Sequence, residues 1–160
     1  MIACAWNKAC KKSLFDNGRL RFREGVIAED IDWTARLMES AKTFICIPAL
    51  ITAYRKRKGS ITSSTNIEKA SQLISNLSYI HDNFGTRKYI KPYLSIAAGN
   101  LLINLSALSS EDYSKIIPSC SYILQYLKYK PTLRTKILFF FNLFLGTKLT
   151  CKTIKLIFGR

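Results

Sequence analysis

Phe44-Ile45-Cys46-Ile47-Pro48-Ala49-Leu50-Ile51-Thr52-Ala53-Tyr54 is the stretch on which the fold class turns. Aromatic and β-branched residues fill Phe44 to Ile47 and Leu50 to Tyr54, with Pro48 between them, so the segment reads as a strand, a turn and a second strand. Before it, Asn7 to Phe15 reads as a short helix stopped by Asp16-Asn17-Gly18, and Glu29 or Asp32 opens a helix to about Ser40. After Gly59-Ser60 and the Ser/Thr-rich run to Thr65, the period turns helical for the rest of the chain. Helices are predicted over Ile67 to Phe84, Lys88 to Leu108, Ser110 to Lys128, Thr132 to Leu145 and Leu149 to Phe158, with breaks at Gly85, Ser109-Ser110, Pro131 and Gly146. The composition shift near Thr65 divides an α+β part, residues 1–65, from an all-helical region, residues 66–160. The whole is mainly α.

The chain has 160 residues, 48% of them apolar, which suits a domain with its own core and excludes intrinsic disorder. Twenty-five basic against 10 acidic residues give a net charge of +15, pointing to a polyanionic partner. The excess is uneven. From Tyr113 onward there are nine basic residues and no acidic one, whereas the acids of the first 65 residues cluster between Asp16 and Glu39. Five cysteines, odd in number, far apart and without a C-x-x-C pair, read as reduced thiols of a cytosolic protein. No charged segment followed by an apolar one opens the chain, so no secretory signal is expected. The longest apolar run, Ile137 to Phe141 with Leu143 to Leu145, falls short of the roughly 20 residues that cross a bilayer. His81 is the sole histidine, which leaves histidine-based metal sites and triads little to work with, and no dinucleotide or P-loop glycine pattern occurs.

Two segments carry chemistry. In Phe22-Arg23-Glu24-Gly25-Val26-Ile27-Ala28-Glu29-Asp30-Ile31-Asp32-Trp33, a glycine and a short apolar run deliver Glu-Asp to the mouth of a helix, where free amides favour negative charge. Such carboxylates serve either as helix caps or as reactive groups. In Ala53-Tyr54-Arg55-Lys56-Arg57-Lys58-Gly59-Ser60-Ile61-Thr62, four successive cations meet a Gly-Ser turn, either a solvated charge run, a footprint for nucleic acid, or a clamp for a phosphate.

Together with Trp6-Asn7-Lys8, Lys12-Ser13-Leu14-Phe15 and Arg21-Phe22, these blocks stand in an order that resembles the second, acceptor-side half of a bacterial family 2 glycosyltransferase. The resemblance is to the GT-A branch that builds capsular, exopolysaccharide and O-antigen chains, and it covers roughly Ile2 to Thr65. It implies inverting transfer of a sugar from a nucleotide-sugar donor to a saccharide or lipid-linked acceptor. It casts Asp30 as general base, Glu29 as the group that orients the site, Trp33 as an acceptor-binding aromatic face, and Arg55, Arg57 and Ser60 as diphosphate and donor contacts. In the family a nucleotide-binding half with an Asp-x-Asp metal motif precedes these blocks, and a divalent cation, Mg or Mn, is its cofactor. Asp30-Ile31-Asp32 has that spelling but the position of the base motif, so no metal ligand is assigned in this chain. The donor half is then expected from a fuller gene, a split gene, a start assigned too late, or a separate nucleotide-binding polypeptide.

The helical region offers further readings. Tyr122, Tyr126 and Tyr129 among lysines suit single-stranded nucleic acid but read more simply as a helix face. Lys136, Lys148, Lys152 and Lys155 border bulky apolar residues across 132–160, which describes either a packed hairpin with a solvated basic face or a helix pair lying on an anionic membrane. The resemblance favours the membrane, placing the protein in the cytoplasm at the inner face of the cell membrane. The alternative to a transferase is a non-enzymatic cationic module that binds membrane or nucleic acid.

Overall fold

The computed structural model describes residues 3–49, 52, 53, 55 and 65–158. The chain divides into two compact units, Met1–Ser64 and Thr65–Arg160.

In the first unit, two 3-10 turns, Ala5–Asn7 and Lys12–Leu14, stand where one helix from Asn7 to Phe15 is expected. Helix α1, Glu29–Ser40, follows. Its inward side supplies Trp33 and Leu37, which meet Leu20 in a small core closed by the partly buried Ala5, Cys10, Leu14 and Ala41. No strand occurs among the described residues, which corrects the α+β expectation for residues 1–65. Phe44, Ile45 and Ile47 are exposed, Ile45 to 89%, and Ala49 N–H donates to the Ile47 carbonyl (2.9 Å) in a three-residue turn around Pro48. β-propensity measures fit to a pleated, half-buried surface, and a run with no partner strand and no covering layer gains nothing from extension. Leu50, Ile51 and Tyr54 of the second run lie outside the described residues.

The second unit is built around α3, Ile90–Ser106, which is apolar on most sides and buries residues on most of its circumference, among them Ile90, Leu94, Ala98, Leu101, Leu102 and Leu105, as suits a central helix. Helix α2, Ile67–Phe84, packs on it after Asn66 caps its first turn by accepting from Lys69 N–H (2.9 Å). The predicted helix from Ser110 to Lys128 is divided into α4 (Ser110–Ile116), a 3-10 turn at Ile117–Ser119, α5 (Ser121–Leu124) and a 3-10 stretch at Gln125–Tyr129. Pro118 is the cause: it has no N–H to give and its ring crowds the preceding turn. Helix α6, Leu133–Phe158, starts on a reciprocal cap in which Thr132 and Thr135 exchange backbone-to-hydroxyl bonds (3.0 and 3.2 Å). At Gly146 its backbone leaves the helix (φ 71°, ψ 165°), a region open essentially to glycine alone, so α6 is two helices of about three turns each. Gly99 lets α6 approach α3: a Cβ there would lie 3.2 Å from Leu138 Cδ1.

Candidate functional site

Helix α1 presents Glu29, Asp30 and Asp32 in its first turn, where the amide ends and the helix dipole favour carboxylates. Gly25, in the left-handed region (φ 70°), turns the chain toward it. Ala28 is left-handed as well (φ 60°, ψ 41°), a conformation that costs a non-glycine residue about 1 kcal/mol or more. That conformation sets the entry to α1 immediately ahead of the carboxylate pair.

The three carboxylates have separate environments. Glu29 is exposed and Asp30 half-buried. Asp32 is wholly buried, its Oδ2 2.7 Å from Arg23 Nε and 3.3 Å from Arg36 Nη2. Both contacts are ion pairs by distance without the alignment of hydrogen bonds. Arg36 in turn donates through Nη1 to the Arg19 and Arg21 carbonyls, so Asp32 ties the 19–23 segment to α1. It is a structural charge.

Burial raises the Asp30 carboxyl above its ordinary value, with Glu29 adding to the effect and Asp32 adding least, while its own backbone N–H and Lys8 pull it down. Lys8 is shifted down by burial against the pull of Cys4, Asp30 and Cys10. Its Nζ donates to the Cys4 carbonyl and to Asn7 Oδ1 (2.8 Å). Lys8 thus belongs to the electrostatic surroundings of Asp30; in the sequence the Trp6-Asn7-Lys8 block was the available signal.

Trp33 lies in the core of this unit, 4% exposed, its Nε1–H donating to the Leu20 carbonyl (2.7 Å) and its ring stacked on Phe22 at 5.4 Å. So placed, it has no ring face open to a sugar. Arg55 is exposed and makes no ion pair among the described residues. Arg57 and Ser60 lie outside the described residues. The structure therefore brings together Glu29, Asp30 and Lys8, and of the 55–58 run only Arg55 lies within the described residues.

Comparison with family models, with curated proteins and with solved structures finds no match.

Among the described residues no group of three or more His, Cys, Asp or Glu side chains is placed to hold a metal ion. Asp30 and Asp32 do not fit one as a pair: they stand two residues apart, near opposite sides of α1, and Asp32 is spent on two guanidinium groups. Two clefts lie in the helical unit, one walled by Ser109, Tyr113, Lys148 and Lys152, the other by His81, Lys91, Tyr126 and Tyr129, and neither involves Asp30.

Proposed function

We propose that this chain is the acceptor-side half of an inverting family 2 glycosyltransferase of cell-surface polysaccharide synthesis, working at the cytoplasmic face of the membrane together with a nucleotide-binding half. The observation that carries the reading is Asp30: a carboxylate at a helix mouth, beside the exposed Glu29, with proton affinity raised by burial yet still open to solvent. Those are the properties a general base needs. Asp30 takes the proton of the acceptor hydroxyl as its oxygen bonds to the anomeric carbon of the donor. The bond from that carbon to the diphosphate breaks from the opposite side, and the diphosphate leaves with the electron pair. Arg55, Arg57 and Ser60 meet the charge that develops there, and Glu29 holds the acceptor. The divalent cation of the family belongs with the donor half, since the carboxylates here do not suit one.

The test is complementation in a strain deleted for this gene, scored by cell-surface polysaccharide. The wild-type gene restores the polymer and Asp30→Asn does not, at equal protein level by immunoblot. Restoration by Asp30→Asn removes Asp30 as base and favours the non-enzymatic cationic module, a second reading that rests on the acid-free basic stretch after Tyr113.

A further inference from the structure

Helix α6 turns apolar side chains outward along both of its segments. In 133–145 the buried Thr135 and Leu138 share one side with Asn142. At about 100° per residue, Leu133, Ile137, Phe140 and Phe144 fall on the opposite side. All four are exposed, Phe144 to 77%, and the Phe140 and Phe144 rings stack at 6.4 Å. In 147–158 the buried side is Thr150, Cys151 and Ile154, and the opposite pole is Leu149 with Leu156, the latter 86% exposed. A helix of a globular domain keeps its polar residues for its outward face, and apolar side chains exposed there in both segments mark an interaction surface.

The charge on α6 itself has one sign. Arg134 and Lys136 flank the first pole. Lys148, Lys152 and Lys155, at i, i+4 and i+7, line one side of the second and make no ion pair among the described residues. They also wall a cleft of about 70 Å³ shared with Ser109, Ser110 and Tyr113. The nearby Glu111 is occupied by Lys115 at 2.6 Å.

We propose that α6 docks lengthwise on an anionic lipid leaflet, its apolar poles entering the acyl boundary while Lys148, Lys152 and Lys155, with Ser109 and Ser110, receive a headgroup phosphate. Charge decides the occupant. A second copy of this chain brings the same +15 to the contact and is repelled, and a nucleic acid has no use for exposed leucine and phenylalanine. The helix lies on the surface and does not cross it. By length and composition Leu133–Ile157 passes for a span, but Gly146 divides it, and 133–145 reaches only about 20 Å against a hydrocarbon core of about 30 Å. The inference stands on the helical unit alone and is independent of sugar transfer.

Flotation of the full chain with vesicles tests it, using phosphatidylcholine alone and phosphatidylcholine with about 30 mol% phosphatidylglycerol. The chain floats with the anionic vesicles and not with the neutral ones. Lys152→Gln with Lys155→Gln weakens binding about 25-fold, at about fivefold per surface cation. Phe140→Ser with Phe144→Ser abolishes flotation and leaves the circular dichroism spectrum unchanged, because both rings are exposed. Absence of flotation, equal binding to neutral vesicles, or indifference to both double variants overturns the proposal. So does a dimer in sedimentation that the phenylalanine variant dissolves while vesicles are ignored, or an oligonucleotide that binds in preference to the vesicles.

Discussion

Asp32 holds a charge out of water because two guanidinium groups share it, and the arrangement is easier to break than to replace. Asp32→Leu leaves Arg23 and Arg36 facing an apolar side chain and is expected to cost about 3 kcal/mol in chemical denaturation, the lower end of the range for a broken buried pair because Arg23 stays partly solvated. Asp30 behaves in the opposite sense. Its carboxyl is raised above 3.8, so the folded chain holds that proton more tightly than the unfolded chain, a stabilisation complete below pH 3.8 and lost as pH rises through the raised value. At neutral pH the ionised group is a net cost. Asp30→Asn therefore raises the thermal midpoint at neutral pH and gives no gain below pH 3.8, a pair of melts that reads directly on its burial. Of the site, the Glu29-Asp30 pair at a helix start was legible, because acidic residues before an amphipathic run signal it. The left-handed Ala28 and the coupling of Lys8 to Asp30 were not, since neither leaves a spacing pattern. Trp33 shows the limit of residue type as a guide: an indole suits a sugar or a core equally well, and the Leu20 carbonyl that claims its N–H is 13 residues away.

Helices declare themselves in this sequence by period, and their interruptions by chemistry. Gly146 is where both meet, since the apolar pattern runs through it while its backbone takes a conformation that a Cβ penalises. Gly146→Ala is expected to lose about 1–3 kcal/mol, seen as a lowered denaturation midpoint, because the break between the two segments needs φ near +71°. Burial of individual thiols along the helices is equally testable. Cys120 and Cys151 are pushed up to about 11 and about 12 by burial, with Cys120 adding to the shift at Cys151. The thiolate is the nucleophile, so an alkylating reagent at neutral pH modifies the exposed Cys46 first and reaches Cys120 and Cys151 only after denaturant is added. Mass spectrometry of quenched samples shows the order, and early labelling of Cys151 would deny its enclosure against the Leu102 carbonyl. The strand expectation failed for a reason of the same scale. Phe44 to Ile47 has the composition of a strand, but a strand is completed by a partner and a covering layer, neither of which composition reports. Pro118, by contrast, perturbs a helix by its chemistry alone, and only the extent of its effect, four short pieces where one helix was expected, required the structure.

At the level of the whole molecule, the two units differ in how much apolar surface they bury. Thr65–Arg160 has a largely buried central helix packed against α2, α5 and α6. Among the described residues, Met1–Ser64 gathers Leu20, Trp33 and Leu37 into a small core closed by partly buried side chains, little for a unit of its size to stand on alone. Unequal cores predict unequal stability. Both tryptophans of the chain, Trp6 and Trp33, fall in the first unit, while most of the helical residues fall in the second. Tryptophan fluorescence and far-ultraviolet circular dichroism therefore report on different units of one sample. In a urea titration the fluorescence change, which follows release of Trp33 from the Leu20 carbonyl and from Phe22, is expected at lower denaturant than the main loss of helix signal. Coincident transitions would mean that the units unfold as one cooperative body, since agreement between independent probes is the mark of two-state behaviour. The Trp33→Phe variant sharpens the experiment. It removes the indole hydrogen bond, lowers the first transition alone and leaves the helical one in place, so movement of both together would show that the first unit's core supports the second.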